Sequence, residues 1–216
     1  MARLEFFFDC SSPWTYLAFH RVQEVIRDTG AGVEWRPILV GGVFNAVNRD
    51  LYEQRSRMAT ALGGDDTSGA RRKAGYYMKD LADWARVAGL AIGQPPVFPV
   101  NSVRAMRGCF VAQEHGLLLP WARAVFETYC GDLQDISQPD VLRAIARRVG
   151  LDAEGLCDKV ESQTYKDKLR VNTDEVIARG GFGSPTMFVN GDEMYFGNDR
   201  LELVRAALSE GGGSAT

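Results

Sequence analysis

The stretch Phe6-Phe7-Phe8-Asp9-Cys10-Ser11-Ser12-Pro13-Trp14-Thr15 constrains this chain more than any other. Three consecutive phenylalanines show no polar alternation, so they suit a central strand buried on both faces. Pro13 has a fixed φ and no N–H, which fits the first turn of a helix. Ser12 then falls at the N-cap, with its hydroxyl beside the orphan backbone donors. From Trp14 onward, Leu17, Val22, Val25 and Ile26 recur at roughly helical spacing. A strand that delivers a hydroxyl to the positive end of a helix makes a site for an anion. The plainer alternative for Ser12 is a cap with no catalytic task.

Residues 3–10 read as this strand and 13–28 as the helix, closed by Gly30 and Gly32. Val33 to Leu39 reads as a second strand, so the opening is a βαβ unit with a parallel pair and a right-handed crossover. After Gly41-Gly42 the character changes, and from about 49 to 180 the patterns are helical with no convincing strand. Residues 63–69 form a Gly-rich loop, and helices fit near 70–88, 102–115, 119–130, 138–149, 152–159 and 161–179. The prolines of 94–99 make an extended connection. Strands return at 186–189 and 193–196 around Asn190-Gly191, a hairpin signal, and a helix near 200–209 follows. The order βαβ, helices, ββα predicts a thioredoxin-like α/β fold with an inserted all-α domain. The expected division is 1–48 and 181–216 for the thioredoxin-like domain and 49–180 for the insertion. Neither β half could cover its own apolar faces, so the two must share one sheet.

Composition sets limits. A net charge of −3 and the lack of a dense basic stripe argue against a nucleic-acid partner. The four cysteines (Cys10, Cys109, Cys130, Cys157) form no CxxC pair, and with two histidines in no ligand pattern a metal is not expected. No charged-then-apolar leader and no run of about 18 apolar residues is present, so the expectation is a cytoplasmic protein without a membrane span.

Gly183-Ser184-Pro185-Thr186 opens the second β half. In the thioredoxin fold the proline before this strand is cis and lies beside the start of the active-site helix. Ser184 would there present its backbone to an extended peptide. An ordinary trans proline at a strand edge is the alternative.

Four stretches in order along the chain carry a resemblance: 7–17 (FFDCSSPWTYL), 97–102 (VFPVNS), 183–189 (GSPTMFV) and 194–201 (MYFGNDRL). Together they resemble the 2-hydroxychromene-2-carboxylate isomerase family, which is related to kappa-class glutathione transferases and DsbA-like oxidoreductases. DsbA-like enzymes carry two cysteines where this chain has Ser12 and Thr15, so dithiol chemistry is absent. The resemblance implies glutathione as cofactor and Ser12 as the catalytic residue, a hydroxyl that stabilises the glutathione thiolate. It implies that Ser184 and Pro185 meet the cysteinyl part and that Asn198 and Asp199 meet the γ-glutamyl end. Asn48 is a looser match for the far end of the peptide. The implied reaction is isomerisation of an aromatic α-keto acid with no net redox, by a homodimer.

An aromatic slot could draw on Trp14, Phe44, Tyr76 and Tyr77, and a cation for the substrate carboxylate on Arg49, Arg104 or Arg107, although core packing and surface solvation are the ordinary uses of these residues. Cys10 reads as a small buried hydrophobe, with a redox thiol as the alternative. The rival functions are a kappa-like glutathione transferase or peroxidase and a non-catalytic thioredoxin-like binding module.

Overall fold

The computed structural model describes residues 2–47 and 69–211. The strands are β1 (Arg3–Phe8), β2 (Gly32–Pro37), β3 (Thr186–Val189) and β4 (Glu193–Phe196). The helices are α1 (Pro13–Thr29), α2 (Val40–Val47), α3 (Gly69–Ala88), α4 (Val103–Glu114) and α5 (Leu118–Phe126). They continue with α6 (Pro139–Arg148), α7 (Ala153–Val160), α8 (Gln163–Ala178) and α9 (Leu201–Gly211). A π-helical turn, Glu127–Gly131, prolongs α5, and a 3₁₀ turn, Asn198–Arg200, leads into α9.

The sheet runs β2-β1-β3-β4, so the two ends of the chain do form one sheet with β1 inside it. β1 pairs in parallel with β2 and antiparallel with β3, and β3 pairs antiparallel with β4. Phe6, Phe7 and Phe8 are each fully buried. Phe6 and Phe8 join the main core with Phe19, Trp35 and Phe126, whereas Phe7 points to the other face with Phe188, Ile38, Val43 and Val176. The period of two in a strand explains how adjacent phenylalanines feed opposite cores.

The predicted boundaries of β3 and β4 coincide with the observed ones. β1 stops at Phe8 and β2 at Pro37, earlier than expected, because the chain turns there to bring Ser11 and Val40 onto Asp9. The reading missed α2. Gly41-Gly42 looks like a break by propensity, yet it lies inside the first turns of this helix. A Cβ on Gly42 would come within 3.2 Å of Thr173 Cγ2, so glycine permits close packing of α2 on α8. The apolar positions Val43 and Phe44 hold the helix down. Between α3 and α4 the expected connection 94–99 forms neither helix nor strand, and it bends over 96–99, where the Phe98–Pro99 bond is cis. The 63–68 part of the predicted loop lies outside the described residues.

Cys10, Cys109 and Cys130 are buried in the core, and Cys157 is partly exposed. Burial pushes the Cys10 thiol well above its ordinary value, and Cys109 and Cys130 beside it push the same way. Burial also raises Cys130 to about 12, and Cys157 is raised too. Cys10 is thus a packed, protonated hydrophobe.

Two outcomes follow for this core. In Gly108→Ala the new Cβ would lie 2.5 Å from Cζ2 of Trp121, a fully buried ring held by its Nε1–H donating to Ala105 O at 3.0 Å. Overpacking costs about 1–3 kcal/mol and the gain in helix propensity is at most about 1 kcal/mol, so urea unfolding should show a less stable protein. Unchanged or higher stability would contradict this packing. In the native protein a neutral alkylating reagent followed by peptide mass mapping should label Cys157 first and leave Cys10 unmodified until denaturant is added. Rapid native labelling of Cys10 would contradict its placement.

Candidate active site

The site forms where β1 hands over to α1. Ser12 is the N-cap of α1, in extended conformation, and its Oγ accepts from the Thr15 N–H at 3.2 Å. The Ser12 N–H itself donates to Asp9 O at 3.2 Å. The Ser12 O–H points toward Ser184 O, at 3.5 Å, the outer limit of a hydrogen bond. The hydroxyl proton is therefore loosely held and can turn to a ligand, while the start of α1 favours negative charge there.

Ser184 comes from the other end of the chain. The Ser184–Pro185 bond is cis. Ser184 Oγ accepts from the Asp9 N–H at 3.0 Å and shares a 2.8 Å hydrogen bond with Thr15 Oγ1. Thr15, fully buried, uses its hydroxyl to fasten the proline loop to α1. Among the described residues the Ser184 N–H has no hydrogen-bond partner.

The loop is tied onward: the Gly197 N–H donates to Pro185 O at 3.2 Å. Asn198 is buried, and both its backbone O and its Oδ1 accept from Arg21 Nη1 at 3.1 Å. Arg21 lies over the Trp84 ring at 4.8 Å. Asn198 thus anchors the turn to α1 and α3. Asp199 is half exposed and pairs with Arg200 at 2.6 Å. Asn48 and Arg49 lie outside the described residues.

Beside Ser12 opens a cleft of about 370 Å³. Its walls are segment 39–42 at the start of α2 and segment 98–103 at the start of α4, with Phe44 and Tyr77 completing it. Trp14 does not line the cleft but backs Tyr77, edge to face at 5.5 Å. Tyr76 points to solvent. The expected cations are elsewhere: Arg104 pairs with Glu161 at 2.5 Å, and Arg107 reaches Glu161 at 3.5 Å and Val160 O at 3.1 Å. Both face the corner between α7 and α8, because their helix turns them from the cleft that its first residues line. Among the described residues no charged side chain lines the cleft, whose polar groups are Ser11, Ser12, Asn45, Tyr77, Asn101, Ser102 and backbone.

Sequence reasoning passed over Asp9. Its carboxylate is wholly buried and accepts from the Ser11 N–H at 2.9 Å, the Val40 N–H at 2.8 Å and the Ser102 O–H at 3.0 Å. Burial raises its pKa, and these hydrogen bonds pull it back. The signal available in sequence was an acidic residue directly after a run buried on both faces.

Comparison with known proteins places the fold in a family. The DSBA-like thioredoxin domain family matches residues 3–209. A 2-hydroxychromene-2-carboxylate isomerase of Sphingobium xenophagum is 30% identical over 95% of this chain and 97% of its own. Human glutathione S-transferase kappa 1 is 26% identical over 96% of this chain and 91% of its own. The solved structure of a 2-hydroxychromene-2-carboxylate isomerase superposes with a TM-score of 0.79 and 25% identity over 96% of this chain and 95% of that one. The chain therefore belongs to the DSBA-like thioredoxin domain family and, within it, to the 2-hydroxychromene-2-carboxylate isomerases, with kappa-class glutathione transferases among its relatives.

Proposed function

We propose that this protein is a glutathione-dependent isomerase of an aromatic α-keto acid, of the kind that interconverts 2-hydroxychromene-2-carboxylate and its trans-benzylidenepyruvate isomer. One observation carries the reading: a loosely held Ser12 hydroxyl at a helix start, next to the unpartnered Ser184 amide, at the foot of a cleft of substrate size. Glutathione fits these residues and supplies what the chain lacks there, a thiolate that adds to a conjugated double bond and leaves again once the bond has rotated.

Ser12 donates its O–H to the sulfur, and the first-turn amides of α1 add positive potential, so both favour ionisation. Ser12 is not itself the nucleophile, since among the described residues no histidine–carboxylate pair touches it to take its proton. The Ser184 amide and carbonyl pair with the cysteinyl backbone. Asp199 attracts the γ-glutamyl ammonium, and Asn198 holds that turn in place for it. An interaction so far from the sulfur acts equally before and during reaction, so it contributes affinity and not rate. Phe44 and Tyr77 offer the aromatic contact. With the arginines turned away, the side-chain amides of Asn45 and Asn101 meet the substrate carboxylate. The buried Cys10 takes no part.

The kappa-class relatives favour a second use of the same sulfur site, transfer of glutathione to an electrophile. The two readings differ in stoichiometry, because an isomerase regenerates glutathione and a transferase consumes it.

Ser12→Ala should keep the circular dichroism spectrum and lower kcat/KM with 2-hydroxychromene-2-carboxylate and glutathione. Loss of one hydrogen bond to a charged group, about 1.5–3 kcal/mol, corresponds to about 10- to 150-fold. Glutathione should be recovered unchanged after many turnovers. Turnover close to wild type in a folded Ser12→Ala protein would overturn the assignment.

A further inference from the structure

Asp9 is a carboxylate placed where carboxylates are costly. It is fully buried at the end of the central strand, and among the described residues no cation pairs with it. Desolvating such a charge costs several kcal/mol unless hydrogen bonds compensate. Neutral donors do so here, and each comes from a different segment. Oδ1 accepts from Ser11, just before the Ser12 cap of α1. Oδ2 accepts from the amide of Val40, the first residue of α2, and from the hydroxyl of Ser102, the residue that precedes α4. The positive ends of three helices thus meet one buried negative charge.

All three donor residues line the cleft, and Asp9 itself does not. Ser102 makes no side-chain cap for its own helix, because its hydroxyl is turned to Asp9. The spacing between the wall at 39–42, the wall at 98–103 and the serine at the foot is therefore set by one carboxylate. Nothing comparable crosses the cleft itself, where the lining is uncharged among the described residues.

We propose that Asp9 is a positioning residue of the active site, a carboxylate clamp that holds the Ser11–Ser12 turn and both cleft walls in register and thereby sets the affinity for the acceptor substrate. The clamp acts through Ser11, Val40 and Ser102 and touches neither the sulfur nor the acceptor. Its effect on substrate rests on the isomerase reading above. Its effect on the two walls does not.

Asp9→Asn keeps size and shape but replaces one acceptor oxygen by a donor. The Ser102 hydroxyl can rotate to accept from the new amide, whereas Ser11 and Val40 present backbone N–H groups that cannot. One of those two must lose its acceptor, so the clamp opens. Ser102→Ala removes one contact and leaves the charge in place, and Ser102→Thr retains the hydroxyl.

The test combines hydrogen exchange with a mutant cycle on the full chain. Asp9→Asn should speed amide exchange about tenfold or more in segments 38–43 and 99–106, leaving β1 and β3 protected. With 2-hydroxychromene-2-carboxylate as the varied substrate at saturating glutathione, Ser102→Ala should raise KM about fivefold with kcat within about twofold, and Ser102→Thr should restore it. In the Asp9→Asn background, Ser102→Ala should add little, since the register that Ser102 helps to hold is already lost. Should Asp9→Asn not fold, faster exchange at 99–106 in Ser102→Ala alone supports the clamp and unchanged exchange there overturns it. A full Ser102→Ala effect in the Asp9→Asn background would show direct contact with substrate and overturn the proposal. Unchanged exchange in both wall segments of Asp9→Asn would do the same. If wild-type protein shows no glutathione-dependent turnover, the isomerase reading fails, and the exchange result still decides the clamp.

Discussion

Everything in this structure hangs from a strand that cannot be wet on either side. Phe6 and Phe8 belong to one core and Phe7 to the other, so β1 must lie between neighbours and between helical layers. That forces the last β hairpin, more than 170 residues away in sequence, to pair beside it, as the register of Phe7 with Thr186 shows. The same pairing brings the Ser184–Pro185 loop against the start of α1, where Thr15 and Asp9 fasten it. The geometry of the candidate site is thus a by-product of burying three aromatic rings. Burial of such side chains is worth roughly 1.5–3 kcal/mol each, more than a typical hydrogen bond between neutral groups.

The polar chemistry is laid over this frame with few charges. Ion pairs such as Arg179 with Glu5 and Arg104 with Glu161 lie away from the cleft. At the cleft itself, helix starts, hydroxyls and amides supply the positive potential, and Asp9 supplies a buried counter-charge that faces inward. Fixed dipoles of this kind need no rearrangement when charge develops, which suits stabilisation of a thiolate. The hydroxyls of Ser12 and Thr15 divide two tasks within the same scheme. One hydroxyl is left loosely bound at the foot of the cleft, and the other is consumed in structure.

Much of this was legible in the residues. The Phe run, Ser-Pro, Asn190-Gly191 and Ser184-Pro185 located β1, the α1 cap, the final hairpin and the proline loop, because each reflects a local rule of backbone or burial. What escaped depended on long-range contacts. Gly41-Gly42 signals a break by propensity and became a helix through packing on Thr173 and through Asp9, which holds its first amide. The direction of Arg104 and Arg107 was set by Glu161, more than 50 residues on. Asn198 could be placed at the last turn, but its engagement by Arg21 could not, since that contact spans 177 positions. Asp9 was overlooked because no local pattern tells that three helix starts will converge on it.

The central claim is that Ser12 and the start of α1 ionise a thiol brought by glutathione. The most direct measurement is a pH titration of bound glutathione, followed by the ultraviolet absorbance of its thiolate, with wild-type and Ser12→Ala protein. Free thiols of this type titrate near pH ~8.5. The account predicts that binding to wild-type protein lowers the thiol pKa by at least about one unit, and that Ser12→Ala removes most of the shift while glutathione still binds. A bound thiol that titrates at its free value in the wild type, or an equal shift in both proteins, would contradict it.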